Sequence, residues 1–240
     1  MGGIVLAEEA ELAVVGAGPA GLEAALTASH SGVSVALIDA FPRAGGQYFK
    51  QLPSGFSADD RTTHQREARE LLDRLQRSRN VRFFSDTIVW GAFPSDDSWL
   101  LTLHGSGAPA ELRAASLILA PGAYDRPVAF PGWTLPGVMT AGAVQSLLKN
   151  QRVLPGRRIL ISGTGPLLLA VAAQLIQAGA EVVSVLEGNG AGALLQPKNL
   201  PGIWAQWSRL AEGATYLRTM RQAKTPYRLG WSVIEARGDG

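Results

Sequence analysis

The sequence contains no cysteine, and this absence excludes several kinds of site at once. A disulfide framework, a cysteine-ligated metal and a redox-active cysteine pair are all excluded within these 240 residues. Histidine is also scarce, because only His30, His64 and His104 are present, and their spacing matches no metal-binding pattern. We therefore predict that the chain has no metal site.

Strong charge and long apolar runs are lacking too. The formal net charge is +2, and the 22 basic residues are scattered, so nothing favours nucleic-acid binding. The longest apolar run, 166–173, is much shorter than the roughly 20 residues that a membrane-spanning helix needs. No basic region precedes an apolar core at the N-terminus, as a signal peptide would require. We expect a soluble cytoplasmic protein without a transmembrane segment.

Glycine, in contrast, is abundant, and its most informative cluster lies near the N-terminus. The segment ELAVVGAGPAGLEAALTASHSGVSVALIDA predicts an apolar strand, a glycine-rich turn, a helix and a second strand that ends at Asp39. A strand, a GxGxxG turn, a helix and an acidic residue in this order are typical of a dinucleotide-binding unit. We predict that the following turn residues bind a cofactor: Gly16, Gly18, Pro19, Ala20 and Gly21.

Each residue type in this turn has a physical role in binding a dinucleotide. Gly16 permits the tight turn, Gly18 lets the backbone approach a pyrophosphate, and Gly21 lets the helix lie close to the strand. The N-terminus of the helix presents free N–H groups and a partial positive charge to the phosphates. Asp39 is expected to accept hydrogen bonds from a ribose diol.

A second unit of the same kind, ILISGTGPLLLAVAAQLIQAGAEVVSVLEG, lies in the second half of the chain. Gly163 and Gly165 are predicted to keep the turn, and Glu187 stands where a ribose-binding acid belongs. Leu168 replaces the third glycine, and we expect it to push out or rotate the helix and so displace the N–H groups. Bound NAD, favoured over NADP by the acid, stays open, but we favour an unoccupied domain.

Two further glycine-containing loops are predicted to contact a cofactor. In FPRAGGQYFKQ, Gly46 and Gln47 belong to a close-approach loop, and Gln47 is a candidate for a hydrogen bond to the cofactor. In LILAPGA, an apolar strand ends in a tight turn at Ala120 and Gly122. The intervening sequence predicts an amphipathic helix over 60–79 and strands over 81–84, 87–93, 99–104 and 111–119.

Together these motifs resemble the flavoproteins that contain two dinucleotide-binding domains. The first glycine turn with Asp39 resembles their FAD fingerprint, and LILAPGA resembles their second flavin-contacting strand, although Pro121 replaces the usual threonine. The segments GGQ and GAYDRPVAFPGWTLPGVMTAGAVQ are similar to the FAD-containing subunits of opine oxidases, hydrogen cyanide synthase and bacterial proline- or hydroxyproline-type dehydrogenases.

This resemblance implies an α/β fold with a Rossmann-like FAD-binding domain over 1–122. A second, incomplete Rossmann-like NAD(P)-type domain would follow over 123–240, in a chain that is truncated relative to the longer family members. The implied function is FAD-dependent oxidation of the C–N bond of an amino acid, imino acid or opine, with electrons passing to a further carrier. The implied partners are a small-molecule substrate and another oxidoreductase subunit in a hetero-oligomer.

Two alternatives remain open. The chain would be an NAD(P)H-dependent flavoprotein reductase if both nucleotide sites were used. It would be a non-catalytic remnant or assembly partner if apolar segments such as 131–139 and 201–207 served only subunit contacts. No catalytic residue is identified, because Asp125 beside Arg126 is expected to form a local ion pair and not to act as a base.

Overall fold

The computed structural model describes residues 8–51, 63–190, 192 and 207–238. Contacts between Cα atoms divide the chain into two compact units, unit 1 (Met1–Ala123) and unit 2 (Tyr124–Gly240). The assignment of unit 1 as an FAD-binding domain and of unit 2 as an NAD(P)-type domain stays a prediction.

Unit 1 is built on a six-stranded mixed sheet with the order β3-β2-β1-β6-β5-β4. Strands β1, β2, β3 and β6 are parallel, whereas β4 and β5 form an antiparallel hairpin at one edge of the sheet. The elements in chain order are β1 (Glu8–Val15), α1 (Pro19–His30), β2 (Val35–Ile38), α2 (Thr63–Arg77), β3 (Val81–Phe84), β4 (Thr87–Ser95), β5 (Ser98–Gly105) and β6 (Glu111–Leu119).

Strands β1 and β2 are buried between helices α1 and α2 on one face and residues of the neighbouring strands on the other. All four residues of β2 are buried, as expected for a parallel strand without polar alternation. Helix α1 buries Leu22 and Ala25, one turn apart, against β1 and β2, and Leu71 and Leu75 of α2 pack against the same cluster. The amphipathic helix is thus confirmed, although residues 60–62 of the predicted range lie outside the described residues.

Unit 2 contains a three-stranded parallel sheet with the order β7-β8-β9. Helix α4 packs on this sheet through Leu168, Val171 and Leu175, together with Val185 of the central strand. The elements are α3 (Ala141–Ser146), a π-helical turn (Leu147–Gln151), β7 (Arg158–Gly163), α4 (Leu167–Gln177), β8 (Glu181–Glu187), α5 (Trp207–Gln222) and β9 (Tyr227–Leu229).

The α/β class with Rossmann-like β–α–β units is therefore confirmed. Among the described residues, no helix combines the length and the apolar character that a bilayer crossing requires, and no group of acidic and histidine side chains is arranged to hold a metal ion. In the segment 131–139, Trp133 and Met139 are partly exposed. Residues 201–206 of the other apolar segment lie outside the described part of the chain.

Candidate functional site

The first glycine-rich turn connects β1 to α1, and backbone packing requires glycine at two of its positions. Gly16 has a φ of 102°, and a Cβ there would collide with the carbonyl group of Ala120. A Cβ at Gly21 would collide with the carbonyl oxygen of Gly16, so helix α1 lies directly against the turn. Ala120, the residue after β6, therefore lies against the turn, while its contact with a cofactor stays a prediction.

The loop over 41–51 also packs against this turn. The Gly45 N–H donates to the carbonyl oxygen of Ala17 at 2.7 Å, and the buried Phe49 donates its N–H back to Gly45 at 3.0 Å. Gly46, with a φ of 58°, lies so close to Gly18 that a Cβ would come within 2.9 Å of the Gly18 Cα. The backbone of Gly46 thus lies against the backbone of Gly18 at the predicted cofactor site.

Two of the predicted contact residues are less closely engaged. Gln47 is exposed, and its Oε1 accepts a hydrogen bond from Lys50 Nζ at 3.5 Å. Because an ammonium group only donates, the Gln47 amide N–H groups remain available to a cofactor acceptor. Gly122 has a φ of 75° and no other atom within 4 Å of its Cβ position, so the structure does not bring it against the turn.

Asp39, at the end of β2, closes the turn with both carboxylate oxygens. Oδ2 accepts the Ala17 N–H at 2.5 Å, and Oδ1 accepts the Phe41 N–H at 2.8 Å. Since each carboxylate oxygen accepts about two hydrogen bonds, one position remains on each oxygen. This arrangement suits a ribose diol, whose two hydroxyl groups donate to two neighbouring acceptors.

The N-terminus of α1 leaves several N–H groups for a phosphate. The first bond into the helix runs from the Leu22 N–H to the Gly18 carbonyl oxygen at 2.9 Å, and Pro19 has no N–H to satisfy. The N–H groups of Gly18, Ala20 and Gly21 have no acceptor among the described residues. With the open positions on Asp39, they make the first turn fit a dinucleotide such as FAD.

The second turn, between β7 and α4, has a different backbone. The positive φ, 94°, belongs to Gly165, whereas Gly163 is the last paired residue of β7, opposite Glu187. The turn predicted at these two glycines is present, but its positive φ lies at the second glycine, whereas in unit 1 it lies at the first, Gly16. Leu168 is buried in the core, and its Cδ2 lies 3.2 Å from the Cβ position of Gly163, so the side chain occupies the space behind the turn.

The first turn of α4 is tight, and the displacement of the helix expected from Leu168 stays a prediction. The Leu168 N–H donates to the Gly165 carbonyl oxygen at 3.3 Å, and the Leu169 N–H donates to Pro166 at 3.2 Å, both with 3₁₀ spacing. The Gly165 N–H donates to Glu187 Oε2 at 2.9 Å. The N–H groups of Gly165 and Leu168 in the second turn therefore already have acceptors within unit 2.

Glu187 is 2% exposed and is occupied by neighbouring donors in unit 2. Besides Gly165, it accepts the Asn189 N–H at 3.1 Å on Oε1 and the Tyr227 hydroxyl at 3.3 Å on Oε2. Sequence reasoning missed Tyr227, which lies 40 residues away in β9 and carries no motif. Burial, followed by the negative charge of Glu187 and their hydrogen bond, raises the pKa of Tyr227 above its ordinary value.

The raised pKa of Tyr227 predicts a loss of stability at alkaline pH. Below the unfolded value of about 10, the hydroxyl is protonated in both states and its contribution to folding is complete. As the pH rises through the higher folded pKa, the contribution is lost, because tyrosinate next to Glu187 is unfavourable. We expect the difference in denaturant midpoint between wild type and Tyr227→Phe to shrink from about pH 9 to about pH 11, relative to the same difference for the exposed Tyr124→Phe. A difference that stays constant with pH would contradict this prediction.

Asp125 has a structural role that differs from the one expected. Its Oδ2 accepts the Gly142 N–H at 2.6 Å, at the beginning of α3, where the Thr140 hydroxyl also accepts the Ala143 N–H at 3.3 Å. The expected ion pair with Arg126 is therefore wrong, and Asp125 is a helix-capping residue. Its contact with Gly142 is also close enough to exclude a Cβ there.

The sequence was compared with those of known proteins and protein families. Residues 10–196 match the model of the pyridine nucleotide-disulphide oxidoreductase family. An opine oxidase subunit of Agrobacterium tumefaciens is 39% identical over 188 residues, which cover 74% of this chain and 36% of that protein. The HcnB subunit of hydrogen cyanide synthase of Pseudomonas aeruginosa is 33% identical over 236 residues, covering 95% of this chain and 48% of that protein.

A solved structure supports the same assignment. L-proline dehydrogenase from P. horikoshii matches with a TM-score of 0.56 and 27% identity, covering 71% of this chain and 33% of that one. The chain spans about a third to a half of the length of the two curated relatives. Since the family model matches most of the sequence, and the described fold contains its β–α–β units, this chain belongs to the pyridine nucleotide-disulphide oxidoreductase family.

Proposed function

We propose that unit 1 binds FAD at the first turn and that the protein is the FAD-containing subunit of an oxidoreductase. The observation that carries the proposal is the Asp39 carboxylate, which closes the turn and keeps one acceptor position on each oxygen. The free N–H groups at the start of α1 are suited to the pyrophosphate. Membership in the family implies FAD as the cofactor, which supplies the two-electron acceptor when bound.

The substrate class we infer is an amino acid, imino acid or opine that is oxidised at a C–N bond. One relative belongs to an opine oxidase and one structural neighbour is an L-proline dehydrogenase, which supports this class. In such a reaction the substrate loses a hydride from carbon and a proton from nitrogen, leaving a C=N bond. The residues of this chain bind and orient the cofactor, and no side chain among those described is assigned as the catalytic base.

The electrons are proposed to pass to a further carrier through another oxidoreductase subunit. The curated relatives are themselves named as subunits, which supports a hetero-oligomer. Because the sequence has no cysteine, it cannot pass electrons to a disulfide of its own. The cytoplasmic location stays a prediction.

A spectroscopic experiment tests this function. The purified protein is incubated with FAD, desalted and measured for visible flavin absorbance, then mixed anaerobically with NADH. We expect the flavin to be retained, and NADH to leave its absorbance unchanged, because the second turn is closed by the protein's own hydrogen bonds.

Substrate assignment is tested by adding L-proline or an opine in the presence of the co-purified partner subunit, which is expected to bleach the flavin. A colourless protein after incubation with FAD would contradict the cofactor assignment. Rapid bleaching by NADH would instead support the alternative, an NAD(P)H-dependent flavoprotein reductase.

A further inference from the structure

The acid at the end of β8 is almost fully used by its own protein neighbours. Oε2 of Glu187 accepts two hydrogen bonds, from the Gly165 N–H at 2.9 Å and from the Tyr227 hydroxyl at 3.3 Å. Oε1 accepts the Asn189 N–H at 3.1 Å. A carboxylate has about four acceptor positions, so a single one remains, on Oε1. A ribose diol, which donates two hydrogen bonds, cannot be bound by both oxygens.

Comparison with Asp39, the corresponding acid of unit 1, identifies the donor that distinguishes the hydrogen bonding of Glu187. Asp39 accepts the N–H of the glycine-rich turn and the N–H two residues further along the chain, as Glu187 does. No side-chain hydroxyl among the described residues donates to Asp39. The additional donor in unit 2 is the Tyr227 hydroxyl, and it occupies the position on Oε2 that would complete a diol site.

Tyr227 is held in this position by the sheet. It pairs with Val185 in the parallel β8–β9 ladder, and its ring packs against the core of unit 2. On the N-terminal side, the Pro226 carbonyl oxygen accepts the Val185 N–H at 2.9 Å, and on the C-terminal side the Gly230 N–H donates to the Glu187 carbonyl oxygen at 2.7 Å. The hydroxyl therefore reaches Glu187 from a strand whose flanking residues on both sides are hydrogen-bonded to β8.

We propose that the Tyr227 hydroxyl occupies the hydrogen-bonding position on Glu187 that a nucleotide ribose would use. As a result, unit 2 does not bind a pyridine dinucleotide. Tyr227 acts in place of the ribose hydroxyl, because it supplies the second hydrogen bond to Oε2 of this buried acid, beside that from the Gly165 N–H. The tightened start of α4 adds to this closure, because it uses the N–H groups of Leu168 and Leu169. The proposal concerns unit 2 and does not depend on FAD binding by unit 1.

Calorimetric titration with NADH tests the proposal without any measurement of activity. The full chain is compared as wild type, Tyr227→Phe, Tyr227→Phe combined with Glu187→Gln, and Tyr124→Phe, the last being a control for loss of an exposed hydroxyl. Wild type and Tyr124→Phe are expected to show no saturable binding up to about 1 mM NADH. Tyr227→Phe is expected to gain at least about ten-fold in affinity, because Oε2 becomes free for a ribose hydroxyl.

Every outcome of this titration decides the proposal. Loss of the gained binding in the double variant would show that the gain depends on the Glu187 carboxylate, as proposed. Tight binding of NADH by the wild type would overturn the proposal, and so would a Tyr227→Phe variant that binds no better than wild type. Thermal unfolding and circular dichroism of each variant identify any that fails to fold, and Tyr227→Leu then provides a second variant without a side-chain donor.

Discussion

Alanine in place of Gly21 is expected to destabilise the chain by about 3 kcal/mol and to weaken FAD binding by at least about 100-fold. The reason is steric, because the new Cβ would collide with the backbone carbonyl oxygen of Gly16, which cannot move without distorting the end of β1. Helix α1 would have to shift away from the strand, and its free N–H groups would leave their positions at the turn. Denaturant unfolding and a titration of flavin fluorescence measure the two effects.

Gly213→Ala is a matched control for this substitution. Gly213 also lies in a helix, but a Cβ there would have no atom of the described residues within 4 Å. Since alanine favours the helix over glycine, we expect Gly213→Ala to stabilise the chain by about 0.5–1 kcal/mol and to leave FAD affinity unchanged. Wild-type stability and FAD affinity in the Gly21→Ala variant would show that the helix does not need the close contact.

Asparagine in place of Asp39 is expected to weaken FAD binding by about 100-fold and to destabilise the chain by about 2 kcal/mol. The N–H groups of Ala17 and Phe41 donate to different oxygens of Asp39, so in asparagine one of them would face an amide N–H group. That buried donor would be left without an acceptor, and the ribose would lose one of its two acceptors. Equilibrium titration with FAD and denaturant unfolding measure these losses.

Two comparisons separate the ribose contact from a general loss of structure. FMN has no adenosine ribose and is expected to bind more weakly than FAD. Its affinity is expected to be the same for wild type and for Asp39→Asn. Asp39→Glu keeps the carboxylate and is expected to remain within about ten-fold of wild-type FAD affinity, because both oxygens still accept hydrogen bonds. Equal losses of FAD and FMN affinity in Asp39→Asn would contradict a ribose contact.

Much of the fold followed from local sequence patterns. The apolar runs before Gly16 and up to Asp39 predicted the buried parallel strands, and the patterns over 87–93 and 99–104 predicted the strands β4 and β5. These patterns are informative because side-chain burial repeats every two residues in a strand and about every 3.6 in a helix. The π-helical turn that follows α3, in contrast, is signalled by no residue pattern.

Inside the candidate site, prediction succeeded where a residue's role depends on its nearest neighbours in the chain. Gly16 and Gly21 are such positions, since their contacts arise within one strand–turn–helix segment or at the adjacent end of a parallel strand. It failed at Asp125, because a helix further along the chain provides a hydrogen-bond partner for this carboxylate that the adjacent sequence does not reveal.

The sequence by itself determined that this chain has two β–α–β units, each with a glycine-rich turn and a terminal acid. Only the tertiary structure decided which acid remains available to a ligand. Asp39 and Glu187 look equivalent in the sequence, but Glu187 faces a tyrosine that the β8–β9 pairing brings from 40 residues away. The physical reason is that a sequence pattern specifies donors and acceptors, whereas long-range pairing specifies which of them are already bonded.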